Sequence, residues 1–154
     1  MEPFKIPLID SGITLTEIPN QVSMFFEIGN CSTHCEGCHS QELWDTNPCK
    51  DMVSPEEILQ RIGLYSGYIT AVLFMGGQRN HIDFEQFVEQ VIGPSSKVMP
   101  VGIYMGDWEK DDLLLAFRYC RWIKLGKYER DLGGLDKKET NQRFIEVQNY
   151  KFWR

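Results

Sequence analysis

The sequence has no run of lysine or arginine, no long apolar stretch and no signature of a disulfide framework. The first absence argues against nucleic acid as a partner, because phosphate-binding surfaces carry clustered basic residues. Net charge is −6 and the sequence pI is about 5.1, in the same direction. A membrane-spanning helix needs about 20 apolar residues. The longest apolar runs, such as Ala71–Met75, fall far short, so no membrane span is expected. The opening residues MEPFKIPLIDSG lack a basic segment followed by an apolar one, so no signal peptide is expected and the location reads as cytoplasmic. Cysteine is sparse and odd in number, five in 154 residues, and three of the five fall within eight positions. In a reducing compartment, such clustering reads as metal binding or catalysis rather than disulfide pairing.

What is present is an ordinary globular composition, 42% hydrophobic and 25% charged. The length suits a single domain spanning 1–154. Residues 1–21 carry Pro3, Pro7, Gly12 and Pro19 and read as an irregular lead-in with room for a short strand. Val22–Ile28 is apolar and β-prone, a predicted strand. Ser54-Pro55-Glu56-Glu57 is a helix start: a capping serine, a proline in the first turn and acids at the positive end. That helix is predicted to reach about Tyr65. Ile69–Met75 is a continuous apolar run, which suits a strand covered on both faces. Asp83–Ile92 places Phe84, Phe87, Val88 and Val91 at helical spacing. Val98–Met105 reads as strand, Asp107–Tyr119 as helix, Arg121–Leu125 as strand, 126–142 as a polar loop and Phe144–Val147 as a last strand. Alternation of strand and helix predicts an α/β fold: a mostly parallel open sheet, or a partial (βα) barrel, with covering helices. Ligands in such folds bind beyond the carboxyl ends of the strands. Two loops follow strands there: the cysteine loop 31–39 and the turn at Gly76-Gly77.

The cysteine loop reads Cys31-Ser-Thr-His-Cys35-Glu-Gly-Cys38-His39. Three soft thiolates select zinc or an iron–sulfur cluster. A structural zinc site needs a fourth ligand, for which His34, His39 or Cys49 is available. Cys35-Glu-Gly-Cys38-His39 also fits the haem-attachment pattern, which leaves Cys31 unexplained. An electron-transfer [4Fe–4S] cluster takes four cysteines, and Cys49 is a candidate fourth. With three thiolates alone, one iron of a four-iron cube is left open to a small molecule. Cys120 and Cys49 read as buried or incidental thiols.

At these residues the sequence resembles the radical S-adenosylmethionine superfamily, whose hallmark is C-x-x-x-C-x-x-C. More narrowly it resembles the family of small activating proteins of anaerobic ribonucleoside-triphosphate reductase. The resemblance covers most of the chain: Ile9-Asp10-Ser11-Gly12, the stretch Phe26–Trp44, Met75-Gly76-Gly77-Gln78, Leu125-Gly126-Lys127-Tyr128 and Asn141-Gln142-Arg143, in that order. It implies a [4Fe–4S] cluster on Cys31, Cys35 and Cys38. It also implies S-adenosylmethionine on the open iron, contacted by Gly76, Gly77, Gln78 and His39. The implied activity is reductive cleavage of that cofactor and generation of a glycyl radical on a partner reductase. A low-potential donor such as flavodoxin or ferredoxin would supply the electron. The family has an acid where Gln78 stands. A glutamine carbonyl still accepts a hydrogen bond from an ammonium group but without charge assistance. The departure predicts weaker cofactor binding or a compensating carboxylate nearby.

Overall fold

A computed structural model describes residues 3–29, 51–106, 108–126, 135 and 142–147. Among these residues seven strands form one open sheet in the order β3-β1-β2-β4-β5-β6-β7. They are β1 (Ile6–Thr14), β2 (Ser23–Ile28), β3 (Met52–Val53), β4 (Ala71–Met75), β5 (Val101–Tyr104), β6 (Trp122–Leu125) and β7 (Arg143–Glu146). The pairings β2–β4, β4–β5 and β5–β6 are parallel. The flanks, β1 with β2 and β3, and β7 with β6, are antiparallel. The open-sheet form of the sequence expectation is therefore the one found: among the described residues β3 and β7 lie at opposite edges and no barrel closes.

Among the described residues, three helical segments connect the parallel strands. The first, α1 (Pro55–Tyr65), begins as predicted: Ser54 Oγ accepts from the Glu57 amide at 3.1 Å. The second runs from α2 (Phe84–Phe87) through a π-helical turn (Val88–Ile92) into α3 (Gly93–Ser96). Asp83 caps its start by accepting from the Gln86 amide. Pro94 has no amide hydrogen, and its ring crowds the carbonyl four residues back. The chain widens just before it, with the Gly93 amide reaching the Val88 carbonyl. The predicted helix stopped at Ile92 and so left this part out. The third helix is α4 (Lys110–Tyr119).

The parallel strands follow one another across the sheet without reversal. Crossovers of that kind are right-handed almost without exception, so successive helices fall on one face. The packing agrees. Ile58 and Ile62 of α1, Phe84 and Phe87 of α2, and Ala116 of α4 join one core with Phe26, Phe74, Ile103 and Ile123 of the strands. Phe74 stacks on Phe26 and meets Phe87 edge-on, each at 5.5 Å between centroids.

The opposite face carries a smaller cluster of Ile18, Ala71, Leu73 and Trp122, with Phe25, Met75, Tyr104 and Phe144 against it. Thus β4 is buried on both sides as its apolar run predicts. Among the described residues, however, its second cover is the chain around Ile18 and not a helical layer.

One expectation needs correction. The lead-in is a nine-residue strand, β1, paired along β2 from Leu8↔Ile28 to Thr14↔Ser23 with a register shift between Leu8 and Asp10. Pro7, Asp10, Ser11 and Gly12 hide it, because none favours a strand. Pairing overrides that preference. At Gly12 a Cβ would stand 3.1 Å from the Phe25 ring, so this glycine makes room for a cross-strand aromatic. The two-residue β3, too short to show any alternation, was also not predicted.

Candidate cofactor site at the carboxyl edge of the sheet

The four parallel strands end at Ile28, Met75, Tyr104 and Leu125, and each is followed within two residues by a glycine: Gly29, Gly76, Gly106 and Gly126. Gly76 and Gly77 have φ of 117° and 114°, and Gly126 has 95°. Side-chain-bearing residues rarely adopt such values. A Cβ on Gly77 would also lie 2.8 Å from the Phe87 ring. The turn after β4 is therefore packed directly on the helical layer.

The side chain of Asn80 fastens this turn to the end of β2. Its Oδ1 accepts from the Gly77 amide at 2.7 Å, and its Nδ2 donates to the carbonyls of Ile28 at 3.0 Å and Gly29 at 2.5 Å. Asn80 is 3% exposed. The Gly29 amide in turn donates to the Pro7 carbonyl on β1 at 2.8 Å. The residue from which the cysteine loop departs is thus held from two sides.

Gln78 is also buried, and its Nε2 donates to Asp112 Oδ2 at 2.8 Å. Asp112 lies in the first turn of α4, where a negative charge suits the helix dipole. A second late contact joins two segments of the family resemblance: Gln142 Nε2 donates to the Gly126 carbonyl at 3.2 Å.

On the face opposite the described helices, Tyr104 donates its hydroxyl to Glu17 at 2.7 Å, and Lys124 sits 4.1 Å from the centre of the Tyr104 ring. Burial, then the neighbouring Glu17 carboxylate, push the Tyr104 phenol well above its usual range. Beside it a hollow of about 130 Å³ is lined by Thr14, Glu17, Phe25, Glu27 and Met75. Small-molecule sites run to about 300 Å³ and above, so these residues form one wall of such a site at most. A larger, shallow hollow of about 710 Å³ lies beside Thr70, Lys97 and Pro100 at the amino ends of β4 and β5, away from the glycine edge.

Of the predicted site residues, Gly76, Gly77 and Gln78 stand together at the carboxyl edge. Cys31, Cys35, Cys38 and His39 lie outside the described residues, as do Trp44, Cys49, the tail from Tyr150 and nearly all of the 126–142 loop. Cys120 is fully buried, and burial pushes its thiol up, as expected of a packing residue. Among the described residues no three His, Cys, Asp or Glu side chains are grouped to hold a metal, and no helix is long and apolar enough to cross a membrane. Sequence reasoning missed Asn80, Asp112 and the Tyr104–Glu17 pair. An asparagine three residues past a double glycine is a turn signal. Its bonds to residues fifty positions earlier have no local trace.

Residues 20–102 match the family model described as 4Fe-4S single cluster domain. The matched stretch begins just ahead of β2, contains Cys31, Cys35 and Cys38, and runs into β5. No curated protein and no solved structure matches the chain.

Proposed function

The chain belongs to the 4Fe–4S single cluster domain family, and from that premise we propose that it is a radical S-adenosylmethionine activase. Cys31, Cys35 and Cys38 hold the cluster, one iron stays open for S-adenosylmethionine, and the target is a glycine of an anaerobic ribonucleoside-triphosphate reductase. The observation that carries this reading is the Asn80 clamp. It ties the turn Gly76-Gly77-Gln78 to Ile28 and Gly29, the two residues from which the cysteine loop leaves β2.

The residues suit both groups. Three thiolates are one short of the four that close a four-iron cluster, which suits an open coordination position. The paired glycines adopt the positive φ of a tight turn, and having no side chains they let that turn pack closely on Asn80, Ile28 and Phe87, beside the start of the cysteine loop. When bound, the cluster supplies the electron that cleaves S-adenosylmethionine reductively and so enables removal of a hydrogen atom from the target glycine.

The protein's part is positioning and exclusion of water. Gly29, held by Pro7 and Asn80, sets where the cysteine loop starts. The Gly76-Gly77 backbone gives the cofactor a surface beside that loop. Gln78 offers its carbonyl oxygen to the cofactor's amino group, and His39, next to Cys38, is a further contact. The contact between Gln142 and Gly126 joins the two late segments of the resemblance, which supports the narrower activase reading over a general member of the superfamily. The electron donor in this reading is a low-potential flavodoxin or ferredoxin.

The family description names a cluster and no reaction, which favours a second reading: electron transfer with Cys49 as fourth ligand. Anaerobic reconstitution separates the two. The activase holds about four irons and four sulfides per chain, loses them on Cys→Ala change at 31, 35 or 38, and keeps them in Cys49→Ala. Reduction with S-adenosylmethionine present then yields 5′-deoxyadenosine, and addition of the reductase yields a glycyl radical by electron paramagnetic resonance. An intact reduced cluster that yields no 5′-deoxyadenosine sinks the activase and leaves electron transfer. Zinc alone in the native protein sinks both.

A further inference from the structure

Position 78 carries an amide where the resembled family carries an acid, and the fold supplies a reason. The Asp112 carboxylate lies 2.8 Å from the Gln78 side chain. An ionised carboxylate only accepts hydrogen bonds, so the arm of the amide that faces it must be the NH₂. This fixes which way the Gln78 amide points, with its carbonyl oxygen on the arm turned away from Asp112. A glutamate at 78 would place a second carboxylate against the first in a part-buried setting, where like charges repel.

We propose that Gln78 and Asp112 act as one unit that recognises the amino group of the bound cofactor. Asp112 is a positioning residue: it carries the negative charge and locks the amide, and Gln78 presents the carbonyl oxygen. The charge that the family keeps on the turn after β4 is moved to the first turn of α4. There the helix dipole helps to hold it, and a hydrogen bond to the anion polarises the amide toward the ligand. This inference rests on the S-adenosylmethionine reading above. It goes further in assigning Asp112, a residue from a different element, to the same ligand group.

Two consequences separate this role from a merely structural one. Asp112→Asn keeps the hydrogen bond, because the new amide can turn its oxygen toward the Gln78 NH₂, yet it removes the charge. Its fold stability stays close to that of the unaltered chain while affinity for the cofactor falls. Gln78→Glu does the opposite: it adds charge at the ligand but sets two carboxylates face to face, so it destabilises the fold. Combined with Asp112→Asn it regains its partner, because the new amide donates to the new carboxylate.

The test uses the anaerobically reconstituted full chain and its three variants. Equilibrium dialysis against S-adenosylmethionine gives affinity, and thermal unfolding gives stability. Asp112→Asn is expected to bind the cofactor about fivefold to tenfold more weakly, because the ammonium group loses an opposite charge beside its acceptor, with its melting temperature lowered by no more than about 4 °C, the helix-dipole share of one first-turn charge. The double variant is expected to recover both the melting temperature lost in Gln78→Glu and the affinity lost in Asp112→Asn. If the unaltered protein binds S-adenosylmethionine and Asp112→Asn binds it equally well, the inference is overturned while the functional reading stands. If Gln78→Glu alone is as stable as the unaltered chain, the coupling of the two positions is overturned. If the unaltered, cluster-loaded protein does not bind S-adenosylmethionine, the functional reading fails and takes this inference with it.

Discussion

Replacing Asn80 with alanine tests whether the clamp at the strand ends holds this edge together. The asparagine is 3% exposed and makes three hydrogen bonds, to the Gly77 amide and to the carbonyls of Ile28 and Gly29. Alanine removes all three and leaves one buried donor and two buried acceptors to find other partners. A buried group left unsatisfied costs about 1–3 kcal/mol. The donor has one hydrogen and no alternative, whereas each carbonyl keeps a second lone pair, so the sum lies near the low end, about 3 kcal/mol. Against a typical stability of about 5–15 kcal/mol this is a large fraction. For a chain of this size it corresponds to a fall in melting temperature of about 6–12 °C. Urea unfolding followed by circular dichroism measures it directly. Asn80→Asp is the informative companion: it keeps an acceptor for the Gly77 amide but loses both donors and sets a carboxylate against two carbonyls. It should destabilise at least as much as alanine. Gln90→Ala, which removes an exposed contact to Gln86, is the control and should change stability by less than about 0.5 kcal/mol. An Asn80→Ala chain within about 0.5 kcal/mol of the unaltered protein, with the same denaturant slope, would refute the argument that the clamp is structural.

The other predictions concern backbone, cysteine ligands and pH. Gly77→Ala should lose about 2–4 kcal/mol by urea midpoint, since φ is 114° and the new Cβ would lie 2.8 Å from Phe87. Gly63→Ala, inside α1 with open space around it, should gain about 0.5–1 kcal/mol in the same assay; a loss there would contradict the helical account. Iron content should vanish with any of Cys31, Cys35 or Cys38 changed to alanine and persist in Cys49→Ala, as metal analysis would show. Cys120 and Tyr104 have pKa values raised by folding. The unfolded chain therefore releases these protons first as pH rises. Their contribution is complete below the unfolded values, about 8.5 for the thiol and 10 for the phenol, and declines above them. Urea midpoints between pH 8 and 10.5 should fall, and Cys120→Ala, less stable overall, should fall less steeply over the first part of that range.

Most elements were legible because their signals are local. Ser54 to Tyr65 carries cap, proline, acids and apolar spacing, and α1 forms over the predicted length. The run Ile69–Met75 reports burial on both faces, and Ala71, Val72, Leu73 and Phe74 are all buried. What covers those faces was not legible. One cover is helical; among the described residues the other is the segment around Ile18, whose packing depends on strand order. The strand β1 was missed because its breakers are overruled by pairing with β2, a contact invisible in the residues themselves.

The same division runs through the candidate site. Spacing and residue type alone marked Cys31, Cys35 and Cys38 as a soft-metal set, since thiolate chemistry belongs to the side chains wherever the fold carries them. They also marked Gly76-Gly77 as a turn, since positive φ needs no neighbour to explain glycine. That the turn and the start of the cysteine loop share one edge followed from the alternation of strand and helix, and the parallel pairing of β2 with β4 agrees. That Asn80 joins them, and that Asp112 faces Gln78, was decided by tertiary packing alone. Hydrogen bonds between residues 34 or 52 positions apart leave no period or local pattern in a sequence, because only the folded chain brings their atoms within reach.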